Sequence, residues 1–336
     1  MLPLTGFFCD VLPTERGDPS YYAAFLSQYT LLTVPAIFSQ AILTPGPFEG
    51  GDKGSLDSDV DMFVNDLPEN AKARRKQYRA LCHAVHLEPG EMPQDKEERT
   101  FVSELFINRS REVGMSNREL ILSALNASAF LNYFFLLEDT LKNLHYKTCR
   151  PAKSAKDGAT ISGGGIISVY LKGILEAKGI TSIFNEELAR RSKFFANFDT
   201  LSATWSLMNI IRNRLVHHGG YYTPGMRGIF SRCLQDIVDT LPGDEHLVTL
   251  NLFLDRFEPI EDEVNKTGRL IFCDALENCI RNTSIYVIES LLLSERAARR
   301  SNNKKPHANR GAAKRTGDVT LAKKRPQQKS SRPSKL

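Results

Sequence analysis

The strongest constraint on the fold is a helical repeat of large apolar residues in the segment NRELILSALNASAFLNYFFLLEDTLKNLHY, residues 117–146. These residues recur at mostly three- and four-residue steps, the period of an α-helix with one buried face. Ser116 precedes the segment and Glu119 follows three residues later, which is the pattern of a capping box. The sequence therefore predicts a long helix with a broad apolar face. The face consists of Leu120, Leu122, Leu125, Phe130, Phe134, Leu137, Leu141 and Leu144.

Three further segments downstream carry helical patterns. Residues 166–180 predict a helix that ends near Gly179, and residues 268–298 predict a long final helix. Between them, residues 185–218 predict one bent helix or two, with Asn185 as N-cap and a glycine pair as the stop. Antiparallel packing is the natural way to bury these faces. We therefore expect a mainly α protein built on a bundle of four to five helices.

The domain organisation follows from where these patterns begin and end. Residues 113–298 are expected to form the helical domain, and residues 1–112 a smaller N-terminal domain of α or α+β type. Within the latter, LLTVPAIFSQAIL and SDVDMFV are candidate short strands, whereas NAKARRKQYRALCHAVHL predicts a helix.

The tail, residues 299–336, has a composition unlike the rest of the chain. From Glu295 to Leu336 there are 14 Lys and Arg against 2 Asp and Glu, whereas the whole chain has 44 against 39. With few large apolar residues, this segment is expected to be disordered. It is either a solvated solubility extension or an arm that tethers RNA or DNA through its cations. The candidate nucleic-acid-binding residues are Lys304, Lys305, Arg310, Lys314, Arg315, Lys323, Lys324 and Arg325.

The expected location is cytoplasmic. No apolar run approaches the ~18 residues that a membrane span requires, and the N-terminal residues lack the pattern of a signal peptide. The six cysteines are scattered without a C-x-x-C pair, which argues against disulfides and against a thiolate zinc site. The terminal Ser334-Lys335-Leu336 matches a peroxisomal address, which applies only in a eukaryotic source.

The segment IIRNRLVHHGG, residues 210–220, carries the candidate chemistry. A glycine at the first left-handed position ends a helix, which would leave the two histidines beside its last carbonyl groups. That negative helix end favours imidazolium, which suits a proton donor to a leaving oxygen. An arginine there would neutralise a phosphate, and the asparagine amide would orient a histidine or bind substrate. The alternative is a capped helix end, where Arg and His simply complement the helix dipole.

The spacing inside this segment carries a geometric requirement. Asn213 and His217 are four residues apart and share a helix face, as do Arg214 and His218. Arg212 and His217, however, are about 140° apart on a regular helix. Either the helix end distorts, or a second copy of the chain completes the site across a dimer.

The segment RNRLVHH resembles the R-x4-6-H signature of the HEPN superfamily, and the resemblance covers roughly residues 115–298. It implies a helical bundle that dimerises with its two motifs facing, and a metal-independent endoribonuclease that cleaves RNA by 2′-hydroxyl transesterification without a cofactor. Arg212, Asn213 and His217 would be catalytic, with His218 and Arg214 in support. Such proteins often act as toxins or in antiviral defence, which implies an antitoxin or defence-system partner protein.

Two acidic residues upstream are candidates for a supporting role. Glu138 and Asp139 lie on the first long helix and, within a bundle, would approach the motif and hold Arg212 or a histidine tautomer. The alternative is that both carboxylates are solvated surface groups.

Two other functions remain open. One is a non-catalytic nucleic-acid-binding or scaffold module. The other starts from GSLDSDVDMFV, which resembles the D-S-D-x-D pair of minimal nucleotidyltransferases, with Asp59 and Asp61 projecting from one face of a strand to hold Mg²⁺. That family places Gly-Ser about eleven residues before the first aspartate, where this chain has Pro47-Phe48.

Overall fold

The computed structural model describes residues 4–6, 10–44, 53–87, 100–149, 164–241 and 247–303, without the side chains of 53–55 and 302–303. The chain divides into two compact units, residues 1–298 and 299–336. The predicted boundary between residues 112 and 113 therefore lies inside the first unit. The disorder and the basic nucleic-acid-binding residues predicted for the tail fall outside the described residues.

The described part of the chain is mainly α, as predicted, and it contains no strand. An isolated antiparallel bridge joins Tyr221 and Arg269. The helices are α1 (Ser20–Leu43), α2 (Lys53–Ala84), α3 (Val102–Val113), α4 (Asn117–Thr148), α5 (Lys172–Lys178), α6 (Thr181–Ser192), α7 (Phe198–His218), α8 (Arg227–Asp239), α9 (Leu247–Thr267) and α10 (Asp274–Asn303).

Helix α4 forms over the predicted residues. Its apolar face is buried at Phe130, Phe134, Leu137, Leu141 and Leu144, whereas Leu120 and Leu122 are partly buried and Leu125 is exposed. Ser116 and Glu119 make the capping box, since each side chain accepts a hydrogen bond from the other's backbone amide. On the apolar face, the Phe134 ring stacks on Trp205 of α7 with their centroids 4.5 Å apart. Each large apolar side chain buried in this way contributes about 1.5–3 kcal/mol to stability. This contact fixes α7, the helix that carries the candidate motif, against α4.

Helix α10 is the central element of the core. Every residue from Leu276 to Leu292 is buried, polar residues included. The Glu277 and Arg281 side chains, both fully buried, form an ion pair of 3.3 Å one helical turn apart. Glu289 is also fully buried and pairs with Arg191 of α6. A buried charge is stable when it is paired, so these two ion pairs fix the rotation of α10 about its own axis.

The two candidate strands near the N-terminus are helical, which corrects the prediction. LLTVPAIFSQAIL lies within α1 and SDVDMFV within α2. Packing against α4 favours the helical form of the first segment. Tyr133 of α4 donates a hydrogen bond of 2.8 Å to Thr33, and Gln40 donates one of 3.0 Å to Asn126 of α4. The third segment, NAKARRKQYRALCHAVHL, lies largely in α2 and is helical as predicted.

The segment before α1 is attached to α10 by charged groups. Arg296 donates to the Asp18 carboxylate at 2.9 Å and to the carbonyl of Pro13 at 3.0 Å. The amide of Leu12 donates to the carboxylate of Glu289. Residues near the start of the chain thus bind the helix that ends the first unit.

The remaining helical predictions differ from the structure mainly at their boundaries. Residues 166–180 form a π-helical stretch, Ile166–Leu171, followed by α5, which ends at the left-handed Gly179 as predicted. Residues 185–218 belong to two helices, and Asn185 lies inside α6 instead of capping it. The cap that α7 uses is Asn197, whose side chain accepts from the amide of Thr200 at 2.8 Å. Helices α8 and α9 were not predicted.

Two helices, α1 and α4, are long and apolar enough to cross a membrane by length and composition. Helices in the core of soluble proteins also satisfy this criterion of length and composition. In α4, Phe130, Phe134 and Leu137 are fully buried by neighbouring helices. Packing within the protein buries 28% of the apolar window of α4 and 22% of that of α1.

Candidate functional site

Helix α7 is continuous to His218 and ends at the glycine pair, as predicted. Gly219 adopts the left-handed conformation with φ 56°, and the amides of Gly219 and Gly220 both donate to the carbonyl of Arg214. A residue with a side chain rarely adopts this φ, so glycine is the natural residue for the stop. The stop places His217 and His218 in the last turn, where both side chains are exposed.

Arg212 is half-buried and faces α4. Its guanidinium carbon lies 5.7 Å from the centroid of the Phe134 ring and 5.2 Å from that of Phe135. One terminal nitrogen donates a hydrogen bond of 2.8 Å to the side-chain oxygen of Asn213, while the buried Nε has no hydrogen-bond partner among the described residues. Cation–π contacts and the hydrogen bond to Asn213 hold the guanidinium in place and leave it with hydrogen-bonding capacity.

The structure does not bring Arg212 and His217 together within one chain. Since α7 is continuous, the two residues stay about 140° apart around its axis. Arg212 points toward α4, whereas the His217 ring lies next to that of His218, with centroids 6.4 Å apart. Of the two predicted solutions, a distorted helix end is not observed. The continuous helix therefore directs the two side chains to different sides of α7.

Asn213 and Arg214 lie beside a small cavity of about 70 Å³ on the side of α7 that faces α8. The guanidinium carbon of Arg214 lies 5.7 Å from the centroid of the Tyr222 ring, which lines the same cavity. Burial raises the pKa of the Tyr222 hydroxyl, so this phenol stays neutral. Arg214 is thus directed away from Arg212 and toward the loop that follows α7.

Glu138 and Asp139 occupy different surroundings. Glu138 is buried and forms an ion pair with Lys142 one turn along α4, with no hydrogen bond to Arg212 among the described residues. Asp139 lines a cavity of about 980 Å³ between α1 and α4, and Phe135, which contacts Arg212, lines it as well. Asp139 therefore faces the cavity between α1 and α4, whereas Glu138 is engaged by Lys142.

The geometry expected for Mg²⁺ at Asp59 and Asp61 is not present, because these residues lie on helix α2 and not on a strand. Residues two apart on a helix point about 160° away from each other, so the two carboxylates cannot project from one face. The Asp61 side chain accepts a hydrogen bond of 2.7 Å from Asn117. Nearby, Asp57 pairs with Arg118 at 2.6 Å. These contacts attach α2 to the start of α4.

The loop after α7 is held by a second loop, and sequence reasoning missed this feature. The amide of Tyr222 donates to the carbonyl of Gly268 at 2.7 Å, and that of Leu270 donates to Gly220 at 3.0 Å. This pairing places Arg269 beside Tyr221, and Arg109 of α3 approaches the same ring. These residues are far apart in sequence, so no local pattern could have identified them.

The candidate site thus consists of Arg212 held by Asn213, the exposed histidine pair, and the arginines around Tyr221. Among the described residues, no group of three His, Cys, Asp or Glu side chains is arranged to hold a metal ion. No protein-family model, curated protein or solved structure matches the chain.

Proposed function

We propose that this protein is a HEPN-type endoribonuclease that acts in the cytoplasm as a homodimer, in a toxin or antiviral role. His217 serves as the general acid and base, and Arg212 binds the scissile phosphate and stabilises its transition state. Asn213 holds Arg212 in position. The 2′-hydroxyl of RNA is the nucleophile, and its attack releases a 5′-hydroxyl and leaves a 2′,3′-cyclic phosphate.

One observation carries this proposal: α7 holds Arg212 in place and exposes His217 in the same helical segment. The guanidinium of Arg212 has five N–H donors, of which the hydrogen bond to Asn213 uses one among the described residues, and phosphate oxygens are suitable acceptors for a planar guanidinium. His217 is exposed at the end of α7, where its imidazole can donate a proton to the leaving oxygen. Together these groups meet the needs of phosphodiester transesterification.

The angular separation of Arg212 and His217 supports the dimer. In a two-fold symmetric pair, the same surface of each copy meets the other, so His217 of one copy can approach the Arg212 region of the other. We propose that the phosphate binds between the two copies of α7.

The function is tested with purified full-length protein and labelled single-stranded RNA in EDTA. Fragments ending in 2′,3′-cyclic phosphate are expected. His217→Ala should lower the cleavage rate by roughly 10²–10⁴-fold, the usual contribution of a general acid or base. His83→Ala removes an exposed histidine on α2 and serves as the matched control. Absence of cleavage by the wild type, or equal cleavage by the His217 variant, would refute the proposal.

A non-catalytic RNA-binding module is the second candidate. It is favoured by the same separation of Arg212 and His217, because a single chain does not form the catalytic pair. This candidate predicts RNA binding without cleavage at any protein concentration. The proposed nuclease instead predicts cleavage that rises with dimer concentration.

A further inference from the structure

Two arginines lie over one tyrosine ring immediately after the end of α7. The guanidinium carbons of Arg109 and Arg269 are 5.4 and 5.6 Å from the centroid of the Tyr221 ring, and all three residues line one cavity of about 190 Å³. The electron-rich face of a ring offsets only part of the repulsion between two cations. The Glu112 carboxylate pairs with Arg109 and offsets a further part, whereas Arg269 makes no ion pair among the described residues.

Both arginines keep hydrogen-bond donors available. Arg109 donates to the Glu112 carboxylate at 3.2 Å, and Arg269 donates to the Glu112 carbonyl at 3.2 Å. A hydrogen bond with Tyr221 also raises the pKa of Arg109. A guanidinium has five N–H donors, so these contacts hold each group in place and leave other donors without a partner among the described residues. Such a pair of held, partly unsatisfied guanidinium groups is suited to bind phosphate oxygens.

Backbone hydrogen bonds fix the position of Arg269 relative to Tyr221 in this cluster. The bridge between Tyr221 and Arg269 is backbone pairing, and it depends on Gly268. Gly268 has φ +70°, and a Cβ there would lie 2.7 Å from the carbonyl oxygen of Tyr222. The site is therefore formed before any ligand binds, which lowers the entropic cost of binding.

The cluster is directly connected to the histidine pair. The amide of Tyr221 donates a hydrogen bond of 3.0 Å to the carbonyl of His218, and Gly219 and Gly220 line the same cavity as the arginines. A phosphate in this cavity would therefore lie beside the end of α7 that exposes the histidines.

Two carboxylates oppose anion binding here. Glu112 pairs with Arg109, and Glu263 lines the cavity. Glu263 makes no ion pair among the described residues, so its negative charge acts directly against an anion. Removing the charge of Glu263 should strengthen anion binding, whereas removing the charge of an arginine should weaken it. The two changes therefore test the site in opposite directions.

We propose that Arg109 and Arg269 bind a phosphate of single-stranded RNA that flanks the cleaved bond. The RNA identity of the ligand rests on the proposed function, whereas the anion site rests on the arginine cluster itself. The site supplies affinity and register from the folded body of the protein and takes no part in proton transfer.

The test measures binding of a fluorescein-labelled single-stranded oligouridylate by full-length His217→Ala protein, so that the RNA is not cut. Adding Arg109→Gln and Arg269→Gln should raise the Kd about tenfold or more. It should also reduce the slope of log Kd against log salt concentration by roughly one for each phosphate that the variant no longer binds. The matched control is the pair Arg190→Gln and Arg232→Gln on α6 and α8, which removes the same charge and should change the Kd less than about twofold.

Two further measurements keep the result interpretable if the double variant folds poorly. Glu263→Gln should lower the Kd at low salt, an effect that misfolding cannot produce. Inorganic phosphate is then tested against chloride at equal ionic strength. If phosphate raises the melting temperature while the arginine variants bind RNA normally, the site takes a free phosphate and the RNA assignment is overturned.

Cleavage by the wild type, measured in parallel, separates this proposal from the proposed function. Weaker RNA binding by the arginine variants without any wild-type cleavage supports the site and refutes the nuclease. Wild-type cleavage together with unchanged RNA binding in both the arginine and Glu263 variants refutes the site and supports the nuclease.

Discussion

The guanidinium carbon of Arg212 lies 5.2 Å from the centroid of the Phe135 ring, and Phe135 also lines the large cavity between α1 and α4. The candidate phosphate-binding group is thus supported by α4 and does not project freely from α7. Its position depends on the packing of two helices, which the stacked pair Phe134 and Trp205 fixes.

Replacing Arg212 with lysine should lower the rate of RNA cleavage by at least about tenfold, because an ammonium group cannot reproduce planar, bidentate phosphate binding. Because lysine retains the positive charge, a lower cleavage rate would reflect the changed geometry of phosphate binding. Arg190→Lys, on the exposed face of α6, is the control and should cleave at the wild-type rate. An Arg212→Lys protein that cleaves equally fast would exclude a specific role for the guanidinium.

Mixing two inactive proteins tests whether the site is shared between copies. Arg212→Ala and His217→Ala should each be inactive alone. If Arg212 of one copy works with His217 of the other, random exchange restores about a quarter of wild-type activity, since half of the dimers are mixed and each mixed dimer has one intact combination. Cleavage is measured after co-refolding the two proteins. No recovery, with mixed dimers demonstrated by differential tags, contradicts the shared site.

Gly268→Ala should destabilise the protein by about 2–4 kcal/mol, because it combines an unfavourable left-handed backbone with a Cβ against the Tyr222 carbonyl oxygen. Gly225→Ala is the matched control. No atom lies within 4 Å of its added Cβ, so the change should be below about 1 kcal/mol. Urea denaturation followed by circular dichroism measures both. Equal stability of the two variants would mean that the loop pairing is not required.

His145 should make stability depend on pH. Burial lowers its pKa below the ordinary value of 6.5, so the unfolded chain binds a proton more readily than the folded one. The stability from this group is present above pH 6.5 and is lost as the pH falls through the lowered folded pKa. Melting temperatures across this range should therefore fall less in His145→Asn than in the wild type.

His83→Asn, at an exposed position on α2, is the control for that series and should follow the wild-type curve. The interpretation fails if the two asparagine variants respond alike to acid.

The sequence predicted the features that neighbouring residues determine. The capping box at Ser116 and the glycine stop at Gly219 are both present, because a helix end is decided within a few residues. The two strands predicted for segments of α1 and α2 were wrong, because residues distant in sequence determine the structure there. A short run with β-branched residues fits either structure, and contacts such as that of Thr33 with Tyr133 across 100 positions decide between them.

The candidate site likewise contains residues that the sequence identified and residues that it did not. The motif residues Arg212 and His217 were identified from one short segment, and the helical period predicted their separation. Arg109 and Arg269 were not identified, because only the folded chain brings them to Tyr221. Glu138 was considered a partner of Arg212, but a lysine one turn away on the same helix, Lys142, forms its ion pair.

The position of α10 has a consequence for the order of folding. This helix fills the centre of the first unit, and it binds Leu12 and Asp18 through residues that follow them by 277 and 278 positions. Contacts so distant in sequence form late and slow folding. The core therefore closes only when α10 packs against residues that lie far before it in the sequence, and α7 is held in its final position only in this late step of folding.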